Sequence, residues 1–363
     1  MRMTEEEQLS LRRPMNHSTI WWNNTFVGHQ GSDFSSDISP NELENTITTY
    51  VPPLLFVLGT FGNLLNILVM RTRTFKPHPI AFYYTVYSVS SLLTLYIFLG
   101  SEWMAYVLKK PHIDTQADWI CRLWQFISRV ITYTSIWFVV AMTIDRYITI
   151  WHRKRAVKLC TLFMAKISAV SIVVGLTVVS VHAMWTYELM KGCYYFHNDD
   201  DLHVTIWPWM SASCYSFIPL TLIIVFDVLI FIGLCLKDAP TVVANEMTSM
   251  MLTHATFMLS MLYFVLVIPP TVINIIDRTF PPSWLHQQKL MEQLAIARII
   301  GHYMAWTNTV TAFYVCMLFS KSFRTEFCLM LSSFVFKAKS ESTMYELHQG
   351  SDSSASQVET EVR

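Results

Sequence analysis

The sequence predicts an all-α fold: a polytopic membrane protein built as a seven-transmembrane helix bundle with a short amphipathic helix on the membrane surface. Three observations carry this. Apolar residues make up 53% of the 363 positions and charged residues 14%, against about 25% charged in ordinary soluble domains. Seven apolar segments, at about 50–72, 80–108, 121–151, 161–186, 206–236, 248–276 and 289–318, are each long enough to cross a hydrocarbon core about 30 Å thick. The basic residues also fall unevenly between them. Arg71, Arg73 and Lys76 follow the first segment, Arg153, Lys154, Arg155 and Lys158 the third, and Lys237, Lys321 and Arg324 come later. The alternate connections carry fewer, among them Lys109, Lys110 and Lys191, and include the acidic run Asp199-Asp200-Asp201. By the positive-inside rule this predicts an extracellular N-terminus and a cytoplasmic C-terminus.

The chain accordingly divides into an N-terminal tail at 1–48, a membrane domain at 49–319, a membrane-surface helix at 320–332 and a cytoplasmic tail at 333–363. The first tail is polar and has no apolar signal-peptide core, so the first span is expected to act as an uncleaved signal anchor. Asn16 and Asn23, in Asn16-His17-Ser18 and Asn23-Asn24-Thr25, are glycosylation acceptors on that orientation. The last tail is Ser-rich and acidic and is expected to be disordered.

Within the first span, Asn63 of Gly62-Asn63 is polar at membrane depth and must find a partner inside the bundle. The third span is the longest-range ruler in the chain. It begins Cys121-Arg122-Leu123-Trp124 and reaches Asp145-Arg146-Tyr147 roughly 36 Å further along a helix axis, in the opposite interface. Arg129 interrupts it two turns from Cys121, where an unpaired cation would be expensive, and Glu102 near the end of the second span is the candidate partner. Asp227 in the fifth span is a second intramembrane charge, a functional candidate or a group facing water or a base. Pro219 in the fifth span and Pro269-Pro270 in the sixth remove backbone donors and predict kinks. After the seventh span, residues 321–330 alternate as a surface helix does, with Cys328 a palmitoylation candidate.

These marks occur in an order that resembles the rhodopsin-like, or class A, G-protein-coupled receptors, over roughly Tyr50 to Cys328, with neuropeptide receptors the nearest type. The resemblance implies that Asp145, Arg146 and Tyr147 form the G-protein switch, with Glu246 a possible second partner for Arg146. It implies a disulfide between Cys121 and Cys193, which would pin the outer loop over the bundle mouth, and a ligand pocket from Glu102, Gln125, Ser128, Arg129, Asn274, Arg298, His302 and Trp306. Cys160, Cys214, Cys235 and Cys316 are expected to be buried small apolar residues.

Departures from the family pattern narrow the reading. Ser91 stands where the family places the carboxylate of a sodium site, so no sodium site is expected. The sixth helix lacks the usual tryptophan before Pro269, and Ala312-Phe313-Tyr314-Val315-Cys316 replaces Asn-Pro-x-x-Tyr, with Tyr314 a partial substitute. Ser128 precedes Arg129 where amine receptors carry aspartate, and Trp306 occupies the position of the retinal lysine.

No phosphate loop, nucleophile elbow or zinc-protease pair is present, so the chain is read as no enzyme, with no cofactor and no metal. The expected partners are an extracellular peptide or small polar ligand, a heterotrimeric G protein, arrestin at the phosphorylatable tail and membrane lipids, with no nucleic acid, at the plasma membrane. An atypical receptor signalling through arrestin or scavenging its ligand is the alternative. A transporter, suggested by Arg129 and Asp227, would show internal repeats, which the sequence lacks.

Overall fold

The computed structural model of the chain describes residues 40–189, 193–195, 209–236, 244–279 and 288–333. Helix α1, Pro40–Met70, begins ten residues before the apolar segment does. Pro40 needs no amide donor in the first turn, and Glu44 follows where the helix dipole favours acids. Helix α2 is one rod made of Pro79–Leu93, a π-helical turn at Thr94–Leu99 and Gly100–Leu108. Helix α3 covers Asp118–Trp151, α4 is the short Arg153–Leu159, and α5 covers Leu162–Ser180. A hairpin of β1, Tyr187–Leu189, and β2, Cys193–Tyr195, follows. Helix α6 runs over Trp209–Leu236 with a π-helical turn at Ser213–Phe217, and α7 over Ala244–Thr279. The last crossing is split: α8, Gln288–Thr307, a 3-10 turn at Asn308–Val310, and α9, Thr311–Phe319. A final helix, α10, spans 321–333.

Among the described residues six helices are long and apolar enough to cross a membrane: α1, α2, α3, the α5 region to Thr186, α6 and α7. The α8–α9 crossing is interrupted and more polar, so it completes the seven through its place in the bundle rather than through its composition. The exposed side chains say what solvent surrounds the bundle. On α5, Phe163, Ile167, Val170, Val174 and Val178 are exposed at helical spacing, as are Leu54, Val57, Phe61, Leu64 and Leu68 on α1. Continuous apolar stripes of that length face lipid, not water.

The core is unusually phenolic. Tyr84, Tyr87 and Tyr263 are fully buried, and a buried hydroxyl must be bonded. Tyr87 donates to the Asn308 carbonyl at 2.8 Å, Tyr84 meets the Thr256 hydroxyl at 3.3 Å, and Tyr263 donates to the Tyr215 carbonyl at 3.3 Å. The last bond has a covalent cause: Pro219 has no amide hydrogen for the carbonyl four residues back, and Tyr263 of α7 supplies one. The split in the last crossing is closed in the same way. Asn63 donates to Gly59 O at 2.8 Å and across to Thr309 O at 2.9 Å, and Thr311 Oγ1 donates to Asn308 O at 2.9 Å. Irregular backbone at membrane depth is thus paired by side chains from α1, α2 and α9. Gly233 lets α6 approach α3 closely, since a Cβ there would lie 2.6 Å from Ile150 and 2.9 Å from Trp151.

Candidate functional site

Helix α3 carries a distinct polar construction at each end. At the Cys121 end, a disulfide joins Cys121 to Cys193 of β2 across 72 residues, with the Cα atoms 5.5 Å apart. β1 and β2 pair antiparallel, Leu189 opposite Cys193, and the Leu189 amide donates to Asp118 Oδ1 at 3.0 Å. Asp118 also pairs with Arg122 one turn on, at 2.8 Å. The hairpin is therefore held to the start of α3 by one covalent and one charge-assisted bond.

Arg129 is 6% exposed. It donates to Gln125 O at 3.1 Å and to the Tyr187 hydroxyl of β1, and its guanidinium lies 4.6 Å from the centre of the Tyr187 ring. The cation at membrane depth is satisfied by the hairpin, through a hydrogen bond and a cation–π contact. Glu102, the expected partner, lies elsewhere: its Oε2 is 3.5 Å from His302 Nε2 on α8. The π-helical turn at Thr94–Leu99 explains the difference. One inserted residue rotates everything beyond it by about 100° relative to an unbroken α-helix. Regular spacing in the sequence could not show that.

The pocket residues fall into two groups. Glu102, His302 and Trp306 are in contact, the Trp306 indole donating to His302 Nε2 at 2.8 Å. Gln125, Ser128 and Arg129 share α3, where Ser128 and Arg129 both donate to Gln125 O. The Gln125 amide is fully buried with neither of its atoms hydrogen-bonded. Arg298 is half-buried on α8, one turn before His302, and the Asn274 side chain lies outside the described residues. A further brace at the Cys121 end went unread in the sequence. His112 Nδ1 meets Asp114 Oδ1 at 2.7 Å and its Nε2 meets Ser101 at 3.2 Å, beneath the edge of Trp124.

At the other end, Arg146 and Asp145 are buried together, with side-chain exposures of 3% and 8%. Arg146 Nε donates to Asp145 Oδ2 at 3.1 Å and Nη2 to the same oxygen. The guanidinium is thus caged by its sequence neighbour. Tyr147 turns outward, its ring 5.1 Å from Phe226 of α6, and Trp151 Nε1 donates to Leu229 O at 2.8 Å. His78, which precedes α2, has its pKa lowered from the ordinary 6.5, chiefly by burial and further by the nearby Arg146 charge. The Glu246 side chain, and Asn16 and Asn23, lie outside the described residues.

Other expectations resolve individually. Asp227 is 1% exposed and faces Ser260 of α7, yet neither carboxylate oxygen is hydrogen-bonded. It is closed off from the surface, and no base pairs with it among the described residues. Tyr314 donates to Leu58 O of α1 at 3.1 Å, so it ties α9 to α1. Cys316 is buried and Cys160 and Cys214 are partly so, but Cys235, at the last turn of α6, is exposed, against the expectation of burial. Cys328 is exposed on α10.

A helical membrane bundle with a disulfide-pinned hairpin at one end of its longest span and a caged arginine at the other defines a multi-pass membrane protein of receptor type, not an enzyme. The chain belongs to the 7 transmembrane receptor (rhodopsin) family, whose sequence model matches residues 62–312. It is 29% identical over 125 residues to the C-C chemokine receptor type 1 of Homo sapiens, covering 34% of each chain. It is 29% identical over 133 residues to the galanin receptor type 1 of Rattus norvegicus, covering 35% of this chain and 38% of that one. A C-C chemokine receptor 1-like protein 1 of Mus musculus is 24% identical over 145 residues, 39% of each. The matched stretches span between a third and two fifths of these relatives' length.

Proposed function

We propose that the chain is a plasma-membrane receptor, N-terminus outside, that binds an extracellular peptide at the Cys121 end and passes the event to a heterotrimeric G protein at the Arg146 end. The observation that carries this is the single helix α3, tethered to the hairpin at one end and bearing the caged Arg146 at the other. Family membership supports the G-protein partner, and relatives named for chemokines and galanin support a peptide ligand. In this reading Glu102, Gln125, Ser128, Arg129, Asn274, Arg298, His302 and Trp306 bound the ligand, and Asp145, Arg146 and Tyr147 form the switch. A bound ligand shifts the bundle toward a state in which Arg146 leaves Asp145 and the helices part to admit the G protein. Arrestin recruitment at the tail, palmitoylation of Cys328 and glycosylation of Asn16 and Asn23 belong to the same reading.

The test is a screen of pooled secreted peptides on cells expressing the chain, read by nucleotide exchange on a panel of G proteins. An active pool is expected to lose its effect in Arg146→Glu at equal surface level. Undiminished exchange in that variant would sink the proposal.

A further inference from the structure

Glu102 offers a carboxylate oxygen that has no donor among the described residues. Its Oε2 is buried and accepts no hydrogen bond. The neighbour that ought to pair with it, His302 Nε2, lies 3.5 Å away, but that nitrogen already accepts the Trp306 indole hydrogen at 2.8 Å. A ring nitrogen that accepts has a lone pair and no proton. In this arrangement His302 Nε2 has no hydrogen to give the carboxylate. The close approach of Glu102 and His302 is not a salt bridge but an acceptor facing an acceptor.

The surroundings suit a cation. The Glu102 side chain as a whole is 23% exposed, so the carboxylate is not sealed within the core although Oε2 itself is covered. Trp103, next in sequence, packs 6.4 Å from Phe56 and has its own indole hydrogen buried without an acceptor. Tyr303 lies within electrostatic reach of both Glu102 and Glu44 of α1, so two acids lie near one phenol. Arg298, one turn before His302, is engaged in a contact of its own. A planar guanidinium or an ammonium placed at the Glu102 carboxylate would gain a charge-assisted hydrogen bond and aromatic contact while His302 kept its bond to Trp306.

We propose that Glu102 is the anchor for a cationic side chain, arginine or lysine, of the peptide ligand. This rests on the peptide-receptor reading above and adds the chemistry by which one end of the ligand is recognised.

The test uses the full chain in lipid nanodiscs and a pool of synthetic octapeptides of random sequence, capped at both termini so that only side chains carry charge. Peptides retained by the protein, over empty nanodiscs, are sequenced by mass spectrometry. Retained peptides are expected to contain arginine or lysine, to lose retention when arginine is replaced by citrulline, and to bind roughly 10- to 100-fold less well to Glu102→Gln. Glu102→Gln keeps the side-chain shape and removes the negative charge, and the citrulline peptides make the matching change on the ligand side. Retained peptides that lack a base, or that bind Glu102→Gln equally, would overturn the anchor and leave the receptor reading standing. Retention of nothing above empty nanodiscs would overturn the peptide reading and this inference with it.

Discussion

Arg129 and Asp227 are both charged residues at membrane depth, and the fold treats them oppositely. Arg129 donates to Gln125 O and to the Tyr187 hydroxyl and lies over the Tyr187 ring, so the cost of its burial is offset locally. Removing the Tyr187 hydroxyl takes away a partner of a buried cation, a loss of about 1–3 kcal/mol. Tyr187→Phe is expected to lower the thermal midpoint of the purified protein, and an unchanged midpoint would show that Arg129 is satisfied without it. Asp227, 1% exposed, has no close hydrogen-bonded partner among the described residues, so it destabilises the state it sits in. Asp227→Asn, nearly isosteric, is expected to raise the same midpoint, whereas a fall would mean the carboxylate is used. His78 adds a pH dependence whose sign follows from its lowered pKa. Above the unfolded value of 6.5 it is neutral in both states and costs nothing. As the pH falls below that value the unfolded chain takes up the proton first, so stability is lost on the acid side. Midpoints compared at about pH 5.5 and about pH 7.5 are expected to differ less in His78→Gln than in the natural chain.

At the scale of elements, the sequence shows what composition and fixed spacing encode and hides what local backbone irregularity encodes. The apolar runs, the Cys121-to-Arg146 ruler and the need of Asn63 for an interior partner are all legible, because each depends on length or polarity alone. Asp118 and Arg122 stand four apart at the start of α3 and could have been read as a helix pair. The Glu102–Arg129 pairing fails because nothing in Thr94-Leu95-Tyr96-Ile97-Phe98-Leu99 announces a π-helical turn. The split of the last crossing at Asn308–Val310 is equally silent, since no proline marks it. Its carbonyls are closed by Asn63, Tyr87 and Thr311, residues far apart in the chain. Asn63→Leu should therefore leave the Thr309 carbonyl orphaned and lower the midpoint by more than a lipid-facing substitution such as Leu64→Ala, which removes only exposed surface. Equal effects would show that the break is held by its own backbone.

For the whole molecule, the question is what keeps the Arg146 end closed when the hairpin end is empty. The Asp145 cage lies within α3 and so cannot by itself restrain another helix. A restraint between helices exists one layer away: the Tyr84 hydroxyl of α2 meets the Thr256 hydroxyl of α7 at 3.3 Å, both fully buried. Thr256 also donates to Leu252 O at 2.8 Å, so the hydroxyl hydrogen for the link comes from Tyr84. On the proposed function, α7 must move away from α2 for a G protein to enter, and that hydrogen bond must break. A net hydrogen bond is worth about 0.5–1.5 kcal/mol, so its loss shifts a two-state equilibrium by roughly 2- to 12-fold toward the open form. Tyr84→Phe keeps the ring in the core and deletes only the donor. Basal nucleotide exchange in membranes, on the G protein that the chain engages, is expected to rise severalfold in Tyr84→Phe and in Thr256→Val, and no further when the two are combined. Additive increases would mean that the two hydroxyls act separately, and unchanged exchange at equal surface level would mean that the α2–α7 link does not hold the resting state.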